Sequence, residues 1–377
     1  MIYLDYAANT PVEKNVLKTF VDATIKYTAN PNSSHRAGLD AKKVIDNASL
    51  NIAKMFDCDA SGIIYTSGAS ESNNLVIKGV ADRNKDIGRH IIISPLEHSS
   101  IIAPCNYLAS NGYEISILSL NDKGQVDIEE LKSLIREDTI LVSVCYVDSE
   151  LGTVQPIKEI GKIIKEYPNC IFHTDATQAI GKINIDFKNV DFVTFAPHKF
   201  FGLNGFGVLL NLNDKKITPL IHGGKSTTIY RSGTPVTANV IALDKALEIA
   251  LNKLNERYEY IMDLNNYLRN ELSVFSNVVI NSPKYSIPNT LNISLKGLDA
   301  KKIVSLLGEK EIYLSTTSAC SLGNTPSKSV YAITNDLELA KNSIRISLSH
   351  LTTLDELKEI LSTFKSIYDK EIQNENN

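Results

Sequence analysis

Residues with the chemistry to hold a carbonyl cofactor stand near the middle of the sequence. Asp175 ends the apolar run CIFHTD, and Lys199 follows the next such run, VDFVTFAP. A carboxylate that ends an apolar strand is costly unless it meets a cation or a donor, and a lysine near it can form a Schiff base with a carbonyl. Ser70 lies in the turn TSGASES, whose backbone N–H groups at the start of a helix suit a phosphate. A carboxylate for a ring nitrogen, an amine for an aldehyde and a phosphate site are what pyridoxal phosphate requires.

Three further side chains could complete a reaction centre. His98 could place its imidazole against a bound ring, and Arg345, inside the apolar run SIRISLS, has a guanidinium fork that suits a carboxylate. Cys320 lies in YLSTTSACSLGNTP, a loop-like composition around a possible thiolate nucleophile.

Each candidate also has a plainer interpretation. Asp175 and Lys199 could form a structural salt bridge, and Ser70 could simply cap its helix. His98 could be a hydrogen-bonded loop histidine, and Arg345 could pair with a nearby carboxylate. A free cysteine such as Cys320 is most often a small buried hydrophobe.

The elements that must position these residues form a predicted sheet. Between about residues 15 and 212, short β-rich runs alternate with helical segments, which predicts an α/β fold. We expect a mainly parallel sheet of the seven-stranded type with helices on both faces. In such a sheet, ligands bind in the crevice beyond the carboxyl ends of the strands. Five polar groups follow five predicted strands and favour one shared site there: TSGASESNN, EHSS, DSELGT, DATQ and HK.

A smaller α+β unit is predicted after the sheet. A Gly-, Thr- and Pro-rich stretch at 211–237 is typical of a long connection, and a helical run at 240–272 follows it. We expect a large cofactor-binding domain at 15–255, and a small domain at 1–14 and 256–377 that carries the cysteine loop. The last helix should begin at a capping box of Thr353 and Glu356. Its predicted apolar face consists of Leu354, Leu357, Leu361 and Phe364.

Composition excludes several classes of protein. The formal net charge is −4 without a long basic run, which argues against a nucleic-acid partner. No apolar run approaches the ~20 residues of a membrane helix, and the first residues lack the pattern of a secretory signal. The five cysteines are scattered without CxxC pairs, which argues against a disulfide framework and a metal site. We therefore expect a cytoplasmic protein with reduced thiols.

Taken in order, the motifs resemble those of the cysteine desulfurases. These are fold-type I pyridoxal-phosphate enzymes of the class V aminotransferase group, and the resemblance runs along nearly the whole chain. HTDATQ with HK and SAC is its most specific part. The other matching stretches are YLDYAANTPV, NPNSSHRAG, TSGASESNN, EHSS, ELGTVQPI, PHKFFG, HGG, RSGT and SIRISLSHLTT.

The resemblance implies roles around the cofactor, pyridoxal 5′-phosphate. Lys199 would hold it covalently and later move protons. Asp175 would pair with the pyridine nitrogen, Gln178 would hydrogen-bond the phenolic oxygen, and His98 would stack on the ring and act in acid–base steps. The phosphate and its surroundings would involve Ala69, Ser70, Ala196, His198 and Thr234, the last reaching in from the second subunit of a homodimer.

The resemblance also implies the reaction and its partners. Arg345 would clamp the carboxylate of L-cysteine, with Ser149 beside the substrate and the cofactor oxygen. Cys320 would take the sulfur as a persulfide, release L-alanine and pass the sulfur to an acceptor protein of iron–sulfur cluster assembly or thiolation. The alternatives are a related lyase or aminotransferase, such as selenocysteine lyase, and a non-catalytic sulfur-trafficking scaffold.

Several positions depart from the family pattern, three of them near the candidate site. Asp148 and Ser149 stand where the family usually has two asparagines, and Ala196 replaces a phosphate-binding serine. A lost hydrogen bond costs about 1 kcal/mol, so these changes should tune cofactor binding without abolishing it.

Overall fold

A computed structural model describes residues 1–224, 226–316 and 325–375. The strands of this part of the chain are β1 (Ile2–Tyr3), β2 (Ile63–Thr66), β3 (His90–Ile93), β4 (Glu114–Ile117), β5 (Thr139–Ser143), β6 (Ile171–Asp175), β7 (Phe192–Phe195), β8 (Gly207–Asn211), β9 (Val278–Ile280), β10 (Thr290–Leu295), β11 (Ile312–Tyr313) and β12 (Ser343–Ser347). Its α-helices are α1 (Lys14–Lys26), α2 (Arg36–Met55), α3 (Ala69–Asn84), α4 (Ser99–Ala109), α5 (Ile128–Leu134), α6 (Ile157–Ile164), α7 (Thr237–Asn252), α8 (Leu254–Leu272), α9 (Ala300–Gly308), α10 (Lys328–Thr334), α11 (Leu337–Lys341) and α12 (Leu354–Glu375).

The central sheet has seven strands in the order β2-β8-β7-β6-β5-β3-β4. Neighbouring strands run parallel except at β8, which is antiparallel to both β2 and β7. The sequence-based prediction of a mainly parallel seven-stranded sheet is confirmed.

Helices cover both faces of this sheet because successive strand residues point to opposite sides. Along β3, Ile91 and Ile93 pack in the cluster that contains residues of α3 and α4. Ile92 packs in the other cluster, with residues of α2, α6 and α7. This double coverage explains why the inner strands read as continuous apolar runs.

A second core lies around the three-stranded antiparallel sheet β12-β10-β9. This core contains apolar residues of α8, α9 and α12, and also Ile2 and Leu4 from the beginning of the chain. Strand β1 pairs in parallel with β11, about 310 positions later. From these separate cores we propose the domain division given above, 15–255 against 1–14 with 256–377.

The last helix begins as the sequence predicts. The side-chain hydroxyl of Thr353 accepts from the backbone N–H of Glu356, and the Glu356 carboxylate accepts from the N–H of Thr353 at 2.7 Å. Three residues of the predicted apolar face are buried, but Leu354 is 42% exposed. Leu354 is the first residue of the helix and extends past the core, so its assignment to the face was wrong. No helix among the described residues is long and apolar enough to span a membrane.

Candidate active site

One cavity of about 300 Å³ lies at the carboxyl ends of the central strands. The loops after β2, β3, β5, β6 and β7 all contribute to its wall, as the strand-end pattern predicts. The start of the chain and β12 close it with Ala7, Ala8 and Arg345. The predicted site residues that line it are Ala69, Ser70, His98, Ser149, Asp175, Gln178, His198, Lys199 and Arg345.

The first turn of α3 forms one end of the cavity. Gly68 is the N-cap residue, and no side chain caps this helix, so its first N–H groups stay available. The alternative that Ser70 is the cap is therefore wrong. The carboxylate of Glu71 is held aside, because it accepts from the N–H of Ser67 at 2.8 Å and from Arg231 at 2.9 Å. A methyl group on Gly207 would lie 2.3 Å from the carbonyl carbon of Gly68, so a glycine lets β8 approach this turn.

Asp175 and Lys199 both line the cavity. The Asp175 carboxylate accepts from Asn73 Nδ2 at 2.8 Å and from the N–H of Thr177 at 2.9 Å. Lys199 Nζ donates to the carbonyl oxygens of Ala7 at 2.8 Å and Ala8 at 2.5 Å. The lysine amine is thus held by the beginning of the chain.

Both polar atoms of the Gln178 amide are hydrogen-bonded. Nε2 donates to the carbonyl of Ala7 at 3.0 Å, and Oε1 accepts from the amine of Lys182. Burial lowers the pKa of Lys182 to about 7, with the nearby Lys199 charge adding to the effect. The sequence analysis did not single out Lys182, whose role depends on its position one helical turn after Gln178.

Two histidines face the cavity as neutral rings. Burial lowers the pKa of His98, and the charge of Lys199 also disfavours its protonation, although Asp175 acts in the opposite direction. Burial and the Lys199 charge lower the pKa of His198 to about 4. At pH 7 neither ring carries the positive charge that would compete with Lys199 for an anion.

Arg345 is almost completely buried, at 1% exposure. Its Nη2 donates to Asp5 at 2.8 Å, and its Nη1 donates to the backbone carbonyl of Ser149 at 3.1 Å. The predicted alternative of a salt bridge is therefore present, with Asp5 as the partner. Within the described ranges the Nε atom of Arg345 has no hydrogen-bond partner.

Two predicted residues do not line the cavity, and a third lies outside the described residues. Ala196 is completely buried and caps the short turn Pro197–Lys199, so it lies behind His198 and Lys199. Thr234 is exposed on the long connection before α7. Cys320 lies outside the described residues.

The structure also adds residues that the sequence analysis missed. Cys145 lines the cavity, but burial and the neighbouring Glu97 raise its pKa well above the usual range, which favours the protonated thiol over the nucleophilic thiolate. Asn73 lies between Asp175 and Ser100, and both residues are buried. The sequence did hint at Asn73, because the run ESNN places polar side chains in a helix that is otherwise rich in apolar residues.

A buried acidic segment follows β5. The Asp148 carboxylate accepts from the N–H groups of Glu150 and Leu151 and from the hydroxyl of Ser329, on α10. Burial and the charge of Glu150 raise the pKa of Asp148 to about 7. Glu150 accepts in turn from Ser327, the N-cap residue of α10. The segment 148–150 therefore anchors the start of α10 beside the cavity.

These residues fit pyridoxal phosphate. The uncapped start of α3 offers N–H donors for a phosphate, and the buried Asp175 carboxylate is an acceptor for a protonated ring nitrogen. Lys199 supplies the only kind of side chain that forms the Schiff base, and the cavity has room for a ring between them.

Comparison with known proteins agrees with this geometry. The family model for aminotransferase class-V matches residues 2–360. The chain is 38% identical over 374 residues to the cysteine desulfurase IscS of Dictyoglomus turgidum, covering 98% of this chain and 95% of the relative. A solved NifS-like protein has a TM-score of 0.92 at 32% identity, covering 98% and 99% of the two chains. A solved structure of SspA in complex with cysteine has a TM-score of 0.81 at 32% identity, covering 92% and 99%.

Proposed function

Because the chain belongs to the aminotransferase class-V family and is a pyridoxal 5′-phosphate-dependent cysteine desulfurase, we propose a role for each residue of the cavity. The observation that carries the proposal is that Lys199, Asp175, His98 and Arg345 line one cavity. The overall reaction converts L-cysteine and the thiol of Cys320 into L-alanine and a Cys320 persulfide.

The large-domain residues hold the cofactor. When bound, pyridoxal phosphate supplies an electron sink for an attached amino acid. Asp175 would accept a hydrogen bond from the protonated ring nitrogen, and Gln178 would donate one to the ring oxygen. Lys199 would provide the amine that holds the aldehyde, and His98 would lie against the ring face.

The start of α3 would hold the cofactor phosphate. The backbone N–H groups and the hydroxyl there belong to Ala69 and Ser70, with the ring of His198 beside them. Ala196 supports the turn that carries His198, and its missing hydroxyl leaves one phosphate contact fewer than the family pattern. Thr234 completes this site from the second subunit.

Arg345 binds the substrate carboxylate. Because Asp5 and the carbonyl of Ser149 occupy two nitrogens of the guanidinium, the fork keeps a fixed orientation before the substrate arrives. Ser149 lines the cavity next to it, with a side chain shorter than an asparagine. The substrate α-carboxylate thus has a buried cation to pair with.

Purified protein tests these roles. Wild type should be yellow, Lys199→Ala should lose the visible band, and Cys320→Ala should keep the colour while sulfide release from L-cysteine stops. Cys58→Ala, at a half-buried cysteine that does not line the cavity, is the matched control and should behave as wild type. Sulfide release by Cys320→Ala at the wild-type rate would refute the role of Cys320.

We also propose a homodimer that hands sulfur to an acceptor protein in the cytoplasm. Four large apolar side chains are exposed on or next to the long connection that carries Thr234, as expected for a surface covered by a second copy. They are Leu220, Ile221, Ile229 and Val236. Sedimentation equilibrium should give twice the chain mass, and a monomer that keeps full activity would contradict the shared site. The four described cysteines are free thiols, which suits a reducing compartment.

A further inference from the structure

We propose that Asn73 and Ser100 are positioning residues that hold the imidazole of His98 as its Nε2–H tautomer. The ring then presents an N–H donor to the cavity. This inference rests on the proposed placement of His98 at the cofactor, and it adds two residues to the site. The observation behind it is a buried chain of hydrogen bonds from Asp175 through Asn73 and Ser100 to His98.

The first link fixes the amide of Asn73, a fully buried residue of α3. Its Nδ2 atom lies 2.8 Å from Asp175 Oδ2 and 2.8 Å from Ser100 Oγ. A carboxylate can only accept, so the amide must turn its nitrogen towards Asp175. Its two hydrogens are then used, one on each neighbour. Asn73 Oδ1 has no partner within the described ranges, so the two Nδ2 bonds alone set the orientation.

The second link fixes the hydroxyl of Ser100. Because Ser100 Oγ accepts from Asn73, its own hydrogen is free to point at His98 Nδ1, 2.8 Å away. The backbone N–H of Ser100 also points at Nδ1, at 3.2 Å. Two donors therefore converge on one ring nitrogen, which must offer its lone pair. A neutral imidazole with an acceptor at Nδ1 carries its hydrogen on Nε2.

This arrangement limits what His98 can do. Protonation at Nδ1 would set the new hydrogen against the backbone N–H of Ser100, so the neutral ring is favoured. Burial and the charge of Lys199 favour the neutral ring as well, whereas Asp175 opposes them. The neutral Nε2–H can donate to an electron-rich atom, such as a substrate thiolate, but the ring is a poor proton acceptor because the Ser100 donors already engage its lone pair at Nδ1. Lys199, which lines the same cavity, is then the better placed group to accept protons.

The packing of two helices creates the chain. Asn73 on α3 and Ser100 at the start of α4 are 27 positions apart and meet because these helices lie side by side. His98 is the N-cap residue of α4, which places its ring within reach of the second residue of the helix. The tautomer is thus set by elements of the large domain, independently of any substrate.

The ring state of His98 can be measured directly. Cofactor-loaded protein with ¹⁵N-labelled histidine has seven imidazoles, and the signal that disappears in His98→Gln identifies the right one. In wild type we expect the ¹⁵N chemical shift of Nδ1 to be that of an unprotonated nitrogen, and the shift of Nε2 to be that of a nitrogen carrying a hydrogen. In Ser100→Ala we expect a mixture of tautomers and a pKa of His98 raised by about 0.7, which corresponds to about 1 kcal/mol at 1.36 kcal/mol per pKa unit.

The matched control is Ser99→Ala, the exposed serine next to Ser100. It should leave the tautomer and pKa of His98 as in wild type. A wild-type ring protonated mainly at Nδ1 would overturn the inference, even if Ser100→Ala failed to fold. The inference would also be overturned if His98 had the same tautomer and pKa in Ser100→Ala as in Ser99→Ala. The readout does not depend on sulfide release, so an inactive protein with the Nε2–H tautomer would refute the proposed function and leave this inference standing.

Discussion

Asp148→Asn is expected to change the pH dependence of stability. In the folded protein the carboxyl has a pKa of about 7, because it is buried and lies near Glu150. In an unfolded chain its pKa is about 3.9. The folded state therefore holds a proton that the unfolded state has lost, and stability falls as pH rises towards 7.

The size of this loss of stability follows from the pH range over which only the folded state holds the proton. Between pH 5 and the folded pKa, two pH units at 1.36 kcal/mol each give a loss of about 2.7 kcal/mol for wild type. The asparagine does not titrate, so the variant should not show this loss. Its Oδ1 can accept from the N–H groups of Glu150 and Leu151, and its Nδ2 can donate to the hydroxyl of Ser329, which can turn to accept.

The assay is urea unfolding followed by far-ultraviolet circular dichroism at pH 5 and pH 8. For each protein the free energy of unfolding at pH 8 is subtracted from that at pH 5, and the two differences are compared. The contributions of other titrating groups cancel in this comparison. Asp122→Asn, at an exposed aspartate, is the control and should follow wild type. A variant whose stability falls between pH 5 and pH 8 as much as that of wild type would refute the buried-acid argument.

Three further variants probe the site. Lys182→Met removes the donor that fixes Gln178, and it should keep the yellow colour but slow sulfide release about fivefold, from the loss of about 1 kcal/mol. Arg345→Lys should raise KM for L-cysteine about 10- to 100-fold, since hydrogen bonds to charged groups contribute about 1.5–3 kcal/mol. Gly207→Ala forces a methyl group against the carbonyl carbon of Gly68, so it should lower Tm and release the cofactor faster on dialysis.

Matched controls separate these effects from general damage. Lys216→Met changes an exposed lysine on the long connection and should leave sulfide release unchanged. Asp5→Asn should raise KM less than Arg345→Lys, because it loosens the guanidinium without removing it. Gly308→Ala adds a methyl group where no atom lies within 4 Å, and should hold its cofactor. Equal effects in a variant and its control would contradict the explanation given for it.

Much of the fold could be predicted from local patterns. Inner strands such as β5 are buried along their whole length and contain apolar runs such as ILV, which distinguishes them from the half-exposed edge strand β4. The capping box of α12 was readable because both partners lie within one turn. Leu354 was misplaced because helical spacing does not show where the neighbouring core ends.

The candidate site was only partly predictable. Asp175, Lys199 and His98 could be found because each lies at or just after the carboxyl end of a strand, and such ends meet at one edge of a parallel sheet. The contact of Arg345 with Asp5 joins residues 340 positions apart, and no local pattern encodes it. Asn73 and Ser100 depend on the packing of two helices, which a single sequence does not give.

The segment of residues 2–8 has a consequence for synthesis. Its strand β1 pairs with β11, and the carbonyl oxygen of Leu4 accepts from the N–H of Ser347. The carbonyl oxygens of Ala7 and Ala8 accept from the Lys199 amine. The Asp5 carboxylate accepts from Arg345. At ~5–20 residues per second, a ribosome makes Asp5 about 20–70 s before it makes Arg345. During that interval the nascent large domain lacks Arg345, the cation proposed to receive the substrate carboxylate. By this reasoning, a chain becomes competent to bind its substrate only after Arg345 has been made and has met Asp5.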